Sequence, residues 1–353
     1  MPILTTPTLS VILGNYNHAH YLVESIPAIL NQSFRPKELI IIDDASTDNS
    51  VEIIEGFAKK DPIIRFYKNE KNLGNAATYI KAYELITGDY FNITAADDLV
   101  LPGLFEKSMA MLAKFPSAGF CSAISRKTDG DGNELVTSPE PPYISKVACY
   151  LSPEKALEYS LEGEGWCMPS TAIWRQSAVL ESGGIPWEAG EFADGFLIPL
   201  ISLNYGACFI PEPLGLYRVL SGSRASQFRK DPRALKERVD HIIKLMRSAA
   251  YANKFPKSYV VAFQDLMLYQ QGAMALQNWQ ESMVECNTFL DKVLKNSSFL
   301  DKWFLKGSKI LSGVHHRILK LYLFGRLRLR RLSWLMIRRV FFRTMKKFRA
   351  KQE

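Results

Sequence analysis

Leu39-Ile40-Ile41-Ile42 is an unbroken aliphatic run that ends on two adjacent carboxylates, Asp43 and Asp44. A strand without polar alternation has to be covered on both faces, which points to a parallel sheet flanked by helices. The neighbouring runs repeat the theme. Leu9–Leu13 leads into the polar turn GNYNHAH, and Ile63–Tyr67 and Asp89–Thr94 are further short strand patterns. Helical patterns lie between them. Tyr21, Leu22, Ile26, Ile29 and Leu30 share one apolar face, although Pro27 inside it removes a helix hydrogen bond. Val51, Ile54 and Phe57 form a second stripe, with Ser46 or Asp48 as the N-cap, and a third helical stretch ends at Gly88. Strands alternating with helices of this length predict βαβ units, hence an α/β fold on a doubly wound, mainly parallel sheet.

The pattern then becomes less regular. RKTDGDGNELVTSPEPPY is rich in turn formers and reads as an exposed loop or hairpin. PSTAIWR and ACFIPEPLGLYR are later strands flanking the acidic stretch WEAGEFADGFLIPLISLNYG, and Asp231 to Phe299 is helical with few breakers. A chain of 353 residues accommodates about two domains. The expected division is an α/β domain over 1–228, a helical C-terminal region over 229–300 and a basic amphipathic tail over 301–353.

Charge separates the tail from the rest. Residues 315–353 hold 13 of the 44 basic residues and one of the 36 acidic ones, so the tail carries +12 and residues 1–314 carry −4. Any anionic partner therefore belongs to the tail. Five scattered cysteines without CxxC spacing argue for reduced thiols, against a disulfide framework or a zinc site. The N-terminus lacks a basic n-region and a small-residue cleavage site, so a signal peptide is not expected. No run reaches the roughly 18 apolar residues of a membrane-spanning helix.

A second Asp-Asp pair, Asp97/Asp98, follows the strand pattern YFNIT. Ligands of open parallel sheets bind outside the carboxyl ends of the strands, so both pairs fall where one crevice is expected. Four carboxylates there need a cation or hydrogen-bond donors among them. A divalent metal with a nucleotide meets that need: one aspartate ligates Mg²⁺ or Mn²⁺ and the others accept from a base N–H or ribose hydroxyls. The plain alternative is capping, for which DASTD is also well suited.

LSVILGNYNHAHYLVESIPAILNQSF and ELIIIDDASTDNSVEII, followed by NLGNAATYIKAYELITGDYFNITAADDLVLPG, resemble the nucleotide-sugar domain of family 2 glycosyltransferases. The resemblance covers roughly residues 8–225 and implies the GT-A fold. The implied nucleotide-binding set is Gly14, Tyr16, Asp44, Asn72, Gly74 and Asp97. Within it Tyr16 stacks on the base, Asp44 accepts its N–H and Asp97 approaches the ribose. Asp98 is the implied metal ligand, with Mn²⁺ or Mg²⁺ bridging the donor diphosphate. The family's usual proline after the first strand is Gly14 here, and the DXD-type motif is written Ala96-Asp97-Asp98.

Inverting transfer needs a general base, which in the family sits in a Glu-Asp pair before an apolar helix. Asp194 aligns with it while Ala193 replaces the glutamate, and Glu188 and Glu191 are further candidates. Asp194 also suits a helix N-cap. FIPEPLGLYRVLSGSRAS resembles the closing segment Tyr-Arg-x-His, with Tyr217 and Arg218 present and Leu220 in the histidine position. The processive motif Gln-x-x-Arg-Trp is absent from the sequence.

The resemblance thus implies single-sugar transfer from a nucleotide sugar, taken as a UDP-sugar, to a saccharide or lipid-linked acceptor in surface glycan synthesis. A sugar nucleotidyltransferase is disfavoured, since GNYNHAHY has one glycine and makes no Gly-rich phosphate loop. A catalytically inactive nucleotide-sugar-binding module is the other alternative, given Ala193 and Leu220. In the tail, Trp334, Ile337, Phe341, Met345 and Phe348 step by three and four along one helical face. Arg338, Arg339, Arg343, Lys346 and Arg349 fall opposite, a pattern for an anionic membrane surface contacted through residues 315–349. The alternative is a terminal helix docked on the acidic body; nucleic acid is not expected. The implied location is cytoplasmic, peripheral on the inner face of the cell membrane.

Overall fold

A computed structural model describes residues 7–135, 144–161, 166–220 and 232–277. The strands are β1 (Leu9–Asn15), β2 (Glu38–Asp43), β3 (Ile64–Lys68), β4 (Tyr90–Ala95), β5 (Leu99–Val100), β6 (Phe120–Thr128), β7 (Cys149–Leu151), β8 (Ile173–Arg175) and β9 (Ala207–Arg218). Helices α1 (Ala19–Leu30), α2 (Ser50–Ala58), α3 (Asn75–Tyr83) and α4 (Leu104–Lys114) alternate with the early strands; α5 (Pro153–Leu161), α6 (Gln176–Glu181) and α7 (Ala193–Tyr205) come later. The strands form one sheet in the order β3-β2-β1-β4-β8-β6-β9-β5, with β7 also on β9. The long ladders β3–β2–β1–β4 and β6–β9 are parallel; short antiparallel pairings of β8, β5 and β7 complete the sheet.

The expected α/β architecture is present. Every residue of β2 is buried, as its continuous apolar run requires. Leu9, Val11, Leu13, Leu39 and Ile41 pack against Leu22, Ile26 and Ile29 of α1 and Ile54 of α2. Pro27 lies within α1, whose buried face it leaves intact. The start of α2 differs from expectation. It begins at Ser50, because Ser46 serves Asp43 and the two Asp48 oxygens accept the Ala19 and Ser50 amides. The turn-rich stretch after β6 is a hairpin at its base, with Thr128 bridged to Glu134; residues 136–143 lie outside the described residues.

The chain divides into two compact units. The larger takes in the chain up to Tyr159, then Gly165–Leu220, and also the short return Ala249–Phe255. Phe196 of α7 receives Tyr251 and Phe255 edge-on, so this return packs under the helix that carries Asp194. The smaller unit includes the helices Pro232–Met246 and Lys257–Gln277, which pack on each other.

Glu38, at the start of β2, is buried and accepts from Ser10 Oγ, Thr87 N and Oγ1, and Arg65 Nη1. Burial pushes its carboxyl up, but these hydrogen bonds outweigh it and hold the pKa below the ordinary value of 4.5. A depressed carboxyl stabilises the fold above its unfolded pKa and loses that contribution as pH falls through the folded value. Glu38→Gln is therefore expected to lower stability at pH 7 by roughly 2 kcal/mol, the scale of charge-assisted hydrogen bonds. The gap between the two thermal melts should narrow as pH falls below the ordinary carboxyl value of 4.5; a gap that widens over that range would contradict this account.

Candidate active site

Register places the two aspartate pairs on one edge. Asn15 aligns with Asp43 across β1–β2, and Gly14 with Ala95 across β1–β4. Both pairs therefore emerge at the carboxyl ends of strands that flank β1. The expectation of four carboxylates facing one crevice is nevertheless corrected by their hydrogen bonds. Asp43 is fully buried and accepts from Asn15 Nδ2, Ser46 N and Ser46 Oγ. Asp44 accepts from Asn69 Nδ2 and Leu73 N on Oδ1 and from Gly74 N on Oδ2. Burial raises the Asp44 carboxyl, yet the Leu73, Asn69 and Gly74 donors outweigh it and hold the pKa low. The protein's own donors thus neutralise the first pair, and Asp44 anchors the Asn72–Gly74 turn against the strand end.

Backbone strain gathers here. Among the described residues, Asn17 (φ 55°) and Ala45 (φ 63°) are the non-glycine residues in the left-handed region, and both adjoin this edge. Ser46 Oγ accepts from the Asn17 amide, and Asn17 Oδ1 accepts from Thr47 N, which holds the two turns together. An alanine in that conformation costs about 1–2 kcal/mol, and such cost concentrates at sites where geometry matters. Tyr16, on the β1 turn, is exposed.

Asp97 and Asp98 follow the carboxyl end of β4 at this edge. Asp98 is buried, and its Oδ1 accepts the Arg218 amide at 3.2 Å. Its Oδ2 accepts no hydrogen bond from the described residues. Burial, then the neighbouring Asp97 charge, pushes its carboxyl up to about 8, against the pull of Arg218. A carboxyl so destabilised as an anion is one that a divalent cation would relieve. No group of three or more His, Cys, Asp or Glu among the described residues forms a self-sufficient metal cage. The donor set fits an Mg²⁺- or Mn²⁺-type site of one or two carboxylates completed by substrate phosphates.

Arg218, at the end of β9, ties the turn down. Its Nη1 donates to Asp97 O (2.8 Å), its Nη2 to Glu24 Oε2 (2.7 Å), and its guanidinium lies 4.5 Å from the Tyr21 ring centroid. Tyr21 Oη in turn donates to Gly130 O. Leu220 stands beside Gly130. Beneath the turn, Tyr79 Oη donates to Thr94 O, and its ring fills the space above Gly14, where an added Cβ would come within 2.8 Å. Burial, then Asp97 and Asp98, keep this phenol protonated.

Asp194 is solvent-accessible in the first turn of α7, and its Oδ1 accepts the Gly195 amide. Desolvation outweighs the Gly195 hydrogen bond and raises its carboxyl above the ordinary value, a direction that suits a proton acceptor. Glu188 Oε1 accepts from Tyr251 Oη at 3.1 Å, and nothing is described for the Glu191 side chain. The turn between them is broken at Gly190, whose φ of 59° and ψ of −127° let the chain reverse before α7.

Sequence reasoning found the strand-end aspartates but missed Glu24, Asn69, Tyr79 and the clamp made by Arg218. Tyr21 read only as a core residue of α1. Glu24 and Arg218 are 194 positions apart, and no local pattern joins them.

Residues 10–159 match the family model for glycosyl transferase family 2. A glycosyltransferase of Haemophilus influenzae with no characterised activity is 37% identical over 106 residues, 30% of this chain and 42% of the relative. Glycosyltransferase GlyG of Streptococcus pneumoniae is 36% identical over 98 residues, 28% of this chain and 33% of the relative. The matched segment thus spans about two fifths or less of these relatives' length. Among solved structures, the mannosyltransferase PcManGT of Pyrobaculum calidifontis, in complex with GDP-Man and Mn²⁺, has a TM-score of 0.53 at 19% identity, covering 92% of this chain and 86% of that one. Residues 1–349 of Staphylococcus aureus TarS, in complex with UDP, give 0.55 at 16% identity, over 94% and 91%. At such identities the likeness is one of fold, and the fold is GT-A. Residues 10–159 therefore resemble glycosyl transferase family 2, in sequence as in fold.

Proposed function

We propose that the protein transfers a single sugar from a UDP-sugar, with inversion, to a saccharide acceptor carried on a lipid, in surface glycan assembly. The observation that carries this reading is the Asp97–Asp98 edge, with Asp98 held by Arg218 and one carboxylate oxygen left without a donor among the described residues. The solved relatives bind GDP-Man with Mn²⁺, UDP and UDP-GlcNAc, which supports a nucleotide-sugar donor and a divalent ion. Asp98 would hold the ion, Asp97 would meet the ribose, and Tyr16 would lie against the base. Asp44 would shape the base pocket through Asn72 and Gly74, with Gly14 giving Tyr79 room to pack under the strand end. When bound, the ion offsets negative charge on the departing nucleoside diphosphate. Asp194 would take the proton from the attacking acceptor hydroxyl, and the upward direction of its pKa suits a general base.

The test is hydrolysis of a panel of UDP-, GDP- and dTDP-sugars with and without Mn²⁺, alongside thermal shift. Mn²⁺-dependent release of one nucleoside diphosphate supports the reading. Tight donor binding without any turnover supports the inactive module, to which Ala193 and Leu220 would then be the key.

The basic tail lies outside the described residues, and among those described no helix is long and apolar enough to cross a membrane. In this proposal residues 315–349 hold the enzyme on the anionic cytoplasmic leaflet, beside its lipid-linked acceptor. Each basic residue near such a surface contributes about 1 kcal/mol. Replacing Arg338, Arg339, Arg343, Lys346 and Arg349 with Gln in the full-length chain should weaken sedimentation with anionic liposomes more than about tenfold. Equal pelleting of both proteins with anionic vesicles would remove the tail from this role.

A further inference from the structure

We propose that His18 is a ligand for the diphosphate of the nucleotide donor. The proposal rests on the reading of the Asp97–Asp98 edge as the donor site and adds a residue to it. His18 is the N-cap of α1, immediately past the β1 turn, and makes no side-chain cap. Its Nδ1 lies 3.9 Å from Asp97 Oδ1, beyond hydrogen-bond reach, with the side chain about 30% exposed. Neither ring nitrogen hydrogen-bonds to any described residue. The ring meets Tyr21 edge-on, with centroids 5.6 Å apart at 71°, so packing fixes its place without engaging its nitrogens.

Charge makes this placement informative. An anionic diphosphate drawn to an ion on Asp98 also approaches Asp97, and that repulsion has to be offset. Arg218 is the guanidinium at hand, yet it is 6% exposed and both Nη atoms are committed, one to Glu24 and one to Asp97 O. Turning it to a ligand would break its hold on the Asp97 carbonyl and its ion pair with Glu24. His18 stands at the same cluster with uncommitted nitrogens. A ring N–H there can donate to a non-bridging phosphate oxygen, one of the stronger hydrogen bonds available to a side chain. The N-terminus of the 12-residue α1 adds positive potential at the same point. His20 supplies a matched control, since it packs on Tyr21 with centroids 3.8 Å apart at a 46° tilt but is exposed and has no carboxylate within ion-pair distance among the described residues.

The experiment is calorimetry on the full chain with Mn²⁺, titrating UDP against uridine and GDP against guanosine. His18→Ala should weaken the bound nucleoside diphosphate by tenfold or more, about the loss of one hydrogen bond to a charged group. Nucleoside affinity and the thermal midpoint should not move. His18→Asn, which keeps a donor amide, should recover part of the loss, and His20→Ala should match wild type. Unchanged diphosphate affinity in His18→Ala overturns the proposal. So does an equal loss for nucleoside and diphosphate, because the residue would then act only through Tyr21. Failure of the wild type to bind either diphosphate sinks the donor-site reading itself, and is visible before any variant is made.

Discussion

Asp98→Asn is expected to fold normally and to lose metal-dependent donor binding by on the order of 100-fold or more, since a Mg²⁺-type site has only one or two carboxylates to lose. The substitution is nearly isosteric and leaves an oxygen to accept the Arg218 amide, so the β4–β9 connection survives. It also removes a carboxyl whose ionisation burial and Asp97 already oppose, so the thermal midpoint without metal should not fall. What disappears is the charge that a hard cation needs. Calorimetry with Mn²⁺ and a nucleoside diphosphate reads the effect directly. Unchanged affinity in the variant would move the metal site away from this edge.

Asp194→Asn is expected to separate binding from chemistry. Removal of a general base typically costs about 10²–10⁴ in rate. Asp194 lies in the first turn of α7, and among the described residues its carboxylate accepts from its neighbour's amide, so neither the fold nor the Asp97–Asp98 edge depends on it. Donor affinity should therefore stay within a few-fold of wild type while turnover collapses. Turnover close to wild type would shift the role toward Glu188, already within reach of the Tyr251 hydroxyl. A product of retained anomeric configuration would rule out the inverting scheme altogether.

The strand ends were legible because the signal is local and strong. Continuous aliphatic runs such as Leu39–Ile42 permit few environments, and a carboxylate pair after such a run falls at a sheet edge by construction of the βαβ unit. What each carboxylate does there was not legible. Asp43 and Asp44 look like Asp97 and Asp98 in sequence, yet the first pair is turned inward by donors that include Asn15, Asn69 and the Leu73–Gly74 amides. Those partners sit 25 to 30 positions away, with no spacing rule to announce them. The helix cap failed for a similar reason. Ser46 and Asp48 are good capping residues, but the adjoining β1 turn claims Ser46 and shares Asp48. Arg218 was visible as part of a motif, though its grip on Glu24 and the Asp97 carbonyl emerges only when β9 returns beside β5.

The contact between Gly14 and Tyr79 has a consequence for how this site can change. With 2.8 Å between a hypothetical Cβ at position 14 and the phenol, no side chain enters at 14 while the tyrosine stays. Emptying position 79 instead would leave a hole under the Thr94 carbonyl, which now receives the phenolic proton. Positions 14 and 79 therefore vary as one unit, small facing large or the reverse. A mutational library that samples them singly would record both as intolerant and overlook the compensated exchanges that could remodel this edge.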